Sequence, residues 1–389
     1  MFSQAIRRWF AHARPIRRPQ KRRPLAVEAL EHRVMPVVGA FSVPTPLTPG
    51  DGYTGVVKVF TGGGMCTGSL LYTGRHILTA AHCVDENRDS IVDAGVGPIT
   101  VQFDMPDPVN PGRFKSIMLR DIAPSAITVH PDWGSESVVL AIIRLPEIAP
   151  AGADRYQVYR NSDEIGQVFV FAGYGMTGTG STADGPDTFD GLKRIGANRF
   201  EDTNAFHTVL GADFDDGTAA NNRFGDRGVS ALIAPARPGE SMADFGDSGG
   251  PAFLGGRIAG VTHWLSGFST DAAGATSVNF GATGAWARVS TAAEWIDRTV
   301  AGRYELVVDM THQPSGDSPG SDVLQVQMVL GQAVVSLNGV ALHYDSPTNL
   351  IDVVLKGSGD VDSFIVSDML GLDFYIDGRG GRDILTGPN

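Results

Sequence analysis

Two short segments, far apart in the 389-residue chain, carry residue types that together can transfer an acyl group. One runs Leu78-Thr79-Ala80-Ala81-His82-Cys83-Val84, the other Gly246-Asp247-Ser248-Gly249-Gly250-Pro251. A serine hydroxyl is a poor nucleophile at neutral pH and needs a base whose pKa lies near the working pH, which histidine supplies. His82 fits the base and Ser248 the nucleophile. Glycines around Ser248 let the backbone turn sharply and aim N–H groups at one point, so the amides of Gly246 and Ser248 are the expected oxyanion donors. Isolated histidines are more often structural. His130, in Val129-His130-Pro131-Asp132, is read as a packed or surface residue.

A scaffold must hold these groups. From about Gly55, short runs of Val, Ile, Leu and Phe are broken by Gly, Asp and Pro at intervals near ten residues, the pattern of an all-β barrel or sandwich. Val56–Phe60, Ser69–Tyr72, Ile99–Phe103 and Val168–Ala172 are expected strands, the Gly/Asp/Thr-rich stretch 173–247 is expected to hold surface loops, and Thr291–Val300 reads as a helix. The 49 glycines and 42% hydrophobic residues agree with a turn-rich globular protein.

The formal net charge is −12, although residues 1–36 carry nine Lys/Arg against only Glu28 and Glu31. An acidic body is a poor binder of polyanions, so nucleic acid is not an expected partner. No run approaches the 18 to 20 apolar residues that a helical membrane span needs. The leader also lacks the apolar core of an ordinary signal peptide. Cys66 and Cys83 are the only cysteines: two unrelated thiols in a cytosolic protein, a single disulfide in an exported one.

Taken together, TAAHC and GDSGGP resemble the trypsin/chymotrypsin family of serine proteases, of the secreted bacterial type. Gly173-Tyr174-Gly175, the strand Gly260-Val261-Thr262-His263-Trp264 and the terminal helix extend the resemblance over residues 52–303. It implies two six-stranded antiparallel β-barrels with the site in the cleft between them, a Cys66–Cys83 disulfide, a protein or peptide substrate and no cofactor or metal. It further implies a substrate pocket at Met242, His263 and Trp264. Met242 stands where relatives that cleave after Lys or Arg have an aspartate, so an apolar or small side chain before the scissile bond is expected. Val37-Val38-Gly39-Ala40 is open to two readings: the segment whose freed amine, in many members of that family, pairs with the aspartate before the nucleophile, here Asp247, or plain linker. The segment Leu30-Glu31-His32-Arg33-Val34-Met35-Pro36 resembles an LEPR-type export motif, which implies a secreted or cell-surface location.

One departure matters. The family's third catalytic residue opens a strand of the type Asp-Ile-Ala-Leu-Ile-Arg-Leu, and here that strand reads Val139-Leu140-Ala141-Ile142-Ile143-Arg144-Leu145. Valine accepts no imidazole N–H. Glu136, three residues upstream, is the candidate third member of the triad. Two functions stay open: a serine endopeptidase, or a degenerate protease that grips peptides without cutting them.

The expected organisation is a leader and linker (1–50), a protease domain (51–303) and a small C-terminal β module (304–389). In the module, Asp352, Asp362, Asp373 and Asp383 precede apolar runs at spacings of 10, 11 and 10, which suggests stacked β turns. Gly378-Arg379-Gly380-Gly381-Arg382-Asp383 resembles one calcium-binding repeat of the RTX type, with arginine in place of the second glycine. Calcium binding and plain turn formation are both open there.

Overall fold

β-branched and aromatic residues alternating with glycine-rich turns favour short antiparallel strands, and such strands dominate the computed structural model. It describes residues 38–387 except 41, 136–137, 182–186, 205, 225–239, 271–275, 315–320 and 368–371. The basic leader, the segment Leu30–Pro36, Val37 and Glu136 lie outside the described residues.

A two-residue strand, β1 (Val38–Gly39), precedes the first sheet. That sheet contains β2 (Val56–Thr61), β3 (Gly64–Leu70), β4 (His76–Ala80), β5 (Ile99–Pro106), β6 (Phe114–Ile122), β7 (Ile127–Val129) and β8 (Leu140–Arg144), in the order β6-β5-β2-β3-β4-β8-β7. The next strands are β9 (Val168–Gly173), β10 (Gly178–Thr179), β11 (Arg194–Arg199), β12 (Asp202–Thr203), β13 (Val209–Asp213), β14 (Ser241–Met242), β15 (Pro251–Leu254), β16 (Arg257–Thr270) and β17 (Thr276–Arg288). Seven of these make the second sheet, in the order β11-β9-β15-β16-β17-β13-β12, while β10, β1 and β14 form a small sheet beside it. The protein is thus mostly β, with two curled half-barrels consistent with a trypsin-like double barrel. Each sheet counts seven strands, where six were expected.

The expected strands appear with somewhat different ends: of Ser69–Tyr72 only Ser69 and Leu70 belong to β3, and the helix α1 spans Val289–Val300. The stretch 173–247 holds more structure than its composition suggests. Its short strands β11 and β13 are anchored by large apolar residues, Phe200, Leu210 and Phe214, all fully buried. Phe169 and Phe200 stack at 4.0 Å, with Trp286 edge-on to Phe169 at 4.9 Å, in the core of the second sheet. Val289, Ala292, Ala293 and Ile296 line one face of α1, the spacing of an amphipathic helix, and belong to the core of the first sheet.

The C-terminal residues form β18 (Tyr304–Asp309), β19 (Asp322–Val329), β20 (Gln332–Leu337), β21 (Val340–Asp345), β22 (Leu350–Lys356), β23 (Asp362–Val366), β24 (Asp373–Asp377) and β25 (Ile384–Thr386). They divide between sheets β18-β22-β24 and β21-β20-β19-β23-β25. The chain crosses from one sheet to the other at each turn after β22, and its strands stack in parallel: Asp352 lies opposite Asp373 and Ser363 opposite Ile384, an offset of 21 residues in both cases. The aspartate spacing is the record of this coil. Asp362 accepts the Ser358 amide at 2.6 Å, and Asp383 accepts the Asp362 amide at 3.1 Å, so these carboxylates close the turns. Arg379, at the variant glycine position, has φ +59° and pairs with Asp309.

The module has its own core, which Ile148 from the preceding part of the chain joins, with Ala151 packed against it. Ile148 is fully buried among the module's Leu and Val side chains, and its amide donates to the Val307 carbonyl at 3.0 Å. Glu147 contacts His312 at 2.5 Å, and the Arg75 guanidinium lies 3.8 Å above the Tyr304 ring. Replacing Ile148 with alanine removes buried volume at this junction. The expected cost is about 2 to 4 kcal/mol, read as a lower urea midpoint.

Candidate active site

His82 and Ser248 reach the same place from different sheets. His82 sits in a single 3-10 turn, Ala81–Cys83, at the end of β4, and Ser248 in the turn between β14 and β15. The Thr67 amide of β3 donates to the Ser248 carbonyl at 2.8 Å, and Cys83 Sγ lies 3.8 Å from the same oxygen. Cys83 is disulfide-bonded to Cys66, which ties the His82 turn to β3. Gly249 makes the approach possible. With φ +84°, it leaves no room for a side chain: a Cβ there would lie 2.1 Å from Thr79 Oγ1 and 2.3 Å from the Thr67 carbonyl.

The turn before Ser248 is locked in a definite orientation. The Phe245 carbonyl accepts the Met176 amide at 2.9 Å, the Gly246 carbonyl accepts Thr67 Oγ1 at 2.8 Å, and the Asp247 carbonyl accepts the Gly250 amide at 2.8 Å. In a trans peptide the N–H points opposite to the preceding carbonyl, so the Gly246 and Ser248 amides face away from these partners. Among the described residues, neither amide finds an intrachain acceptor.

Asp247 holds the turn from within. Its two carboxylate oxygens accept the Gly175 amide at 2.8 Å and the Asp244 amide at 2.9 Å. The glycines of Gly173-Tyr174-Gly175 make space for it, since a Cβ at Gly173 would fall 2.0 Å from the carboxylate and one at Gly175 2.5 Å from it. Burial pushes the Asp247 carboxyl up to about 7 despite these two donors. The chain following Val37 is already inserted nearby: Val38 pairs with Met242 and Gly178, and the Ala40 amide donates to the Glu240 carbonyl at 3.0 Å.

Beside His82 the departure seen in the sequence becomes concrete. The Val139 carbonyl accepts the Ala81 amide at 3.3 Å, and the Val139 side chain is fully buried, so only methyl groups come from this position. His82 Nδ1 is buried without a hydrogen-bond partner. The neighbouring ring is that of His263. In the pairing of β16 with β17 the register shifts between Thr262 and Trp264, which makes His263 the extra residue of a bulge. Bulges re-aim side chains, and here the His263 ring lies 5.7 Å from that of His82 and edge-on to Trp133 at 6.1 Å. His263 Nδ1 is likewise buried and unpartnered. Burial, then Arg88, holds the His82 pKa down to about 4; burial, then His82 and Arg88, holds His263 down to about 3. Both rings are therefore neutral at pH 7.

A cleft of about 700 Å³ opens beside His82, lined among others by Met65, Asp85, Arg88, Trp133 and Phe245. Phe245 is exposed and packs edge-on against Phe268 at 5.3 Å. Sequence reasoning passed over Phe245 and Met65, although Phe245 directly precedes Gly246. Of the expected substrate-pocket residues, Trp264 is half-buried on β16 next to His263. Met242 is fully buried in the core of the second sheet and is not among the residues lining this cleft. His130 is packed, with its ring 4.6 Å from that of Trp295.

Comparison with known proteins points the same way. Residues 45–190 match the family model described as Trypsin, a span that includes His82 and stops short of Ser248. The chain is also 25% identical over 268 residues to an "Uncharacterized peptidase" of Corynebacterium glutamicum (strain R), covering 67% of this chain and 75% of that protein. The two findings support a protease-family kind of function.

The buried histidines carry a stability signature. His82, His263, His76 and His343 all have folded pKa values depressed below 6.5 by burial, so the unfolded chain binds more protons between pH 6.5 and about 4. This contribution to unfolding free energy is complete above pH 6.5 and is lost as the pH falls toward 4. Urea titrations at pH 7, 5.5 and 4.5 should show the decline, and His263→Phe should make it shallower.

Proposed function

We propose that the protein is an exported serine-type endopeptidase, with Ser248 as nucleophile and His82 as general base. The observation that carries this reading is the docking of the Ser248 turn against the His82 turn, with two unpaired amides at Gly246 and Ser248. Ser248 Oγ attacks the scissile carbonyl carbon while His82 Nε2 takes its proton. The resulting oxyanion accepts hydrogen bonds from the two amides, and collapse expels the amine, which leaves with the proton from the imidazolium. Water then repeats the sequence on the acyl-enzyme. The disulfide supports export, since such bonds persist in oxidising compartments.

His263 takes the place of the missing carboxylate in this proposal. Two imidazoles joined by an N–H···N bond have ring centroids roughly 5 Å apart, from a bond of about 3 Å and two ring radii; the observed 5.7 Å needs only a small ring rotation. As a neutral acceptor for His82 Nδ1–H, His263 would fix the tautomer that leaves Nε2 free to act as base. It stabilises an imidazolium less than aspartate would, so a slow enzyme is expected. His263→Asn, which keeps an acceptor at the same reach, should stay within about tenfold of the parent kcat. His263→Leu should lose on the order of 10² to 10⁴ in kcat at unchanged KM. Equal losses in both variants would sink the acceptor role, and full activity in both would return it to Glu136.

The exposed Phe245–Phe268 pair supports cleavage after an apolar or small side chain. Cleavage before Val37 would place a new amine at the head of β1 and supply the cation that buried Asp247 lacks. Asp247 would then return to the ordinary carboxylate range.

A second reading, a noncatalytic peptide binder, is favoured by Val139 alone. Labelling with a fluorophosphonate probe separates the two. Labelling of the parent and none of Ser248→Ala is the expected result; an unlabelled parent that is folded and free of its leader would count against the enzyme and favour the binder.

A further inference from the structure

Four carboxylates converge under the strand that leads into the Ser248 turn. Glu201 precedes β12, Asp213 ends β13, Asp215 follows two residues on, and Glu240 precedes β14. Asp213, Asp215 and Glu240 are fully buried, as is the Glu201 side chain. The carboxylates share a division of labour. Asp213 Oδ2 accepts the Arg223 and Phe224 amides, Asp215 Oδ1 the Gly217 amide at 2.7 Å, Glu240 Oε2 the Asp215 amide at 2.6 Å and Glu201 Oε2 the Asp213 amide at 3.3 Å. Backbone donors thus hold one oxygen of each group. Asp215 Oδ2 is buried without a hydrogen bond, while the Asp213 carboxylate meets the Glu201 carboxyl, which burial and then Asp213 push up to about 9. Ligand atoms of Asp213, Asp215 and Glu240 lie within 4.8 Å of one another.

Charge sharpens the point. Among the described residues, the basic groups near the cluster include Arg199, 3.8 Å from Glu201, and Arg223, whose Nε donates to the Gly281 carbonyl. Buried carboxylates set this close together are costly unless a proton or a cation joins them.

We propose that Asp213, Asp215 and Glu240 bind a divalent cation, with Glu201 beside them, and that this cation is calcium. An all-oxygen set with carboxylates already oriented by backbone amides suits a hard cation, and a cage of protein oxygens suits calcium better than magnesium, which keeps several waters. The ion would join the ends of β13 and β14 and so brace Ser241–Met242, the strand paired with Val38. The site is independent of the peptidase reading.

The test uses the full-length, disulfide-bonded Ser248→Ala protein, which cannot digest itself, stripped with EDTA and titrated with calcium chloride. The thermal midpoint should rise by roughly 3 to 5 °C at a hundred times the dissociation constant. Asp213→Asn and Asp215→Asn should each remove the rise. A second acidic group, Asp322, Asp360 and Asp362 in the C-terminal module, provides the control: Asp360→Asn should keep the rise. Should the aspartate variants fail to fold, atomic emission on the desalted Asp360→Asn protein should still count one calcium per chain. The proposal is overturned by no response to calcium, by a response that survives both aspartate variants, or by one lost only in Asp360→Asn. An Asp213→Asn protein stabilised without metal, in a parent that ignores calcium, would assign the cluster to a shared proton instead.

Discussion

The hydrogen bonds around Thr67 join the two halves of this protein at the point where chemistry is proposed. Thr67 is fully buried on β3, in the first sheet. Its amide holds the Ser248 carbonyl, its hydroxyl donates to the Gly246 carbonyl and accepts the Tyr174 amide at 3.3 Å, and its carbonyl accepts Thr79 Oγ1 at 2.9 Å. One short side chain thus fixes the turn carrying Ser248 to the strands that carry His82. Buried polar groups of this kind are stabilising only when every partner is present, which makes the junction specific in geometry as well as in energy.

Much of this arrangement was legible in the sequence because it depends on local chemistry. The His82 and Ser248 turns are spelled out by contiguous residues, and the glycines at 173, 175 and 249 stand where a Cβ would collide with Asp247 or with β3 and β4. The aspartate period in the tail likewise reported a real stacking repeat. What stayed hidden depends on register. Nothing in Thr262-His263-Trp264 announces that β16 bulges at His263, because a bulge is a property of two strands at once. The acidic cluster was equally invisible, since its members lie on separate elements and each reads alone as an ordinary turn or edge residue. The strands of 173–247 were missed because glycine and aspartate dominate the composition there, while a few large apolar side chains supply the burial.

Val139 and His263 are best understood together. A carboxylate at 139 would be buried beside His82 and would need its own donors; valine removes that demand and extends the apolar core instead. The surroundings of His82 thereby become drier and less polar, and under the proposed mechanism the same burial that keeps both imidazoles neutral would make a charge formed on His82 harder to stabilise. In that proposal the site trades transition-state stabilisation for packing.

The coil at the C-terminus has a consequence for how this chain can change in length. Because β22 stacks on β24 and β23 on β25 with the same 21-residue offset, one full circuit of chain is a self-contained unit whose backbone bonds are made only to its neighbours. Duplication or loss of a whole circuit preserves every ladder and every Asp-closed turn, whereas a change of ten residues would place the wrong sheet next in line. Evolution can therefore lengthen this tail only in quantised steps. Exposed Tyr375, Ile384 and Leu385 lie on β24 and β25, the last strands of the described coil.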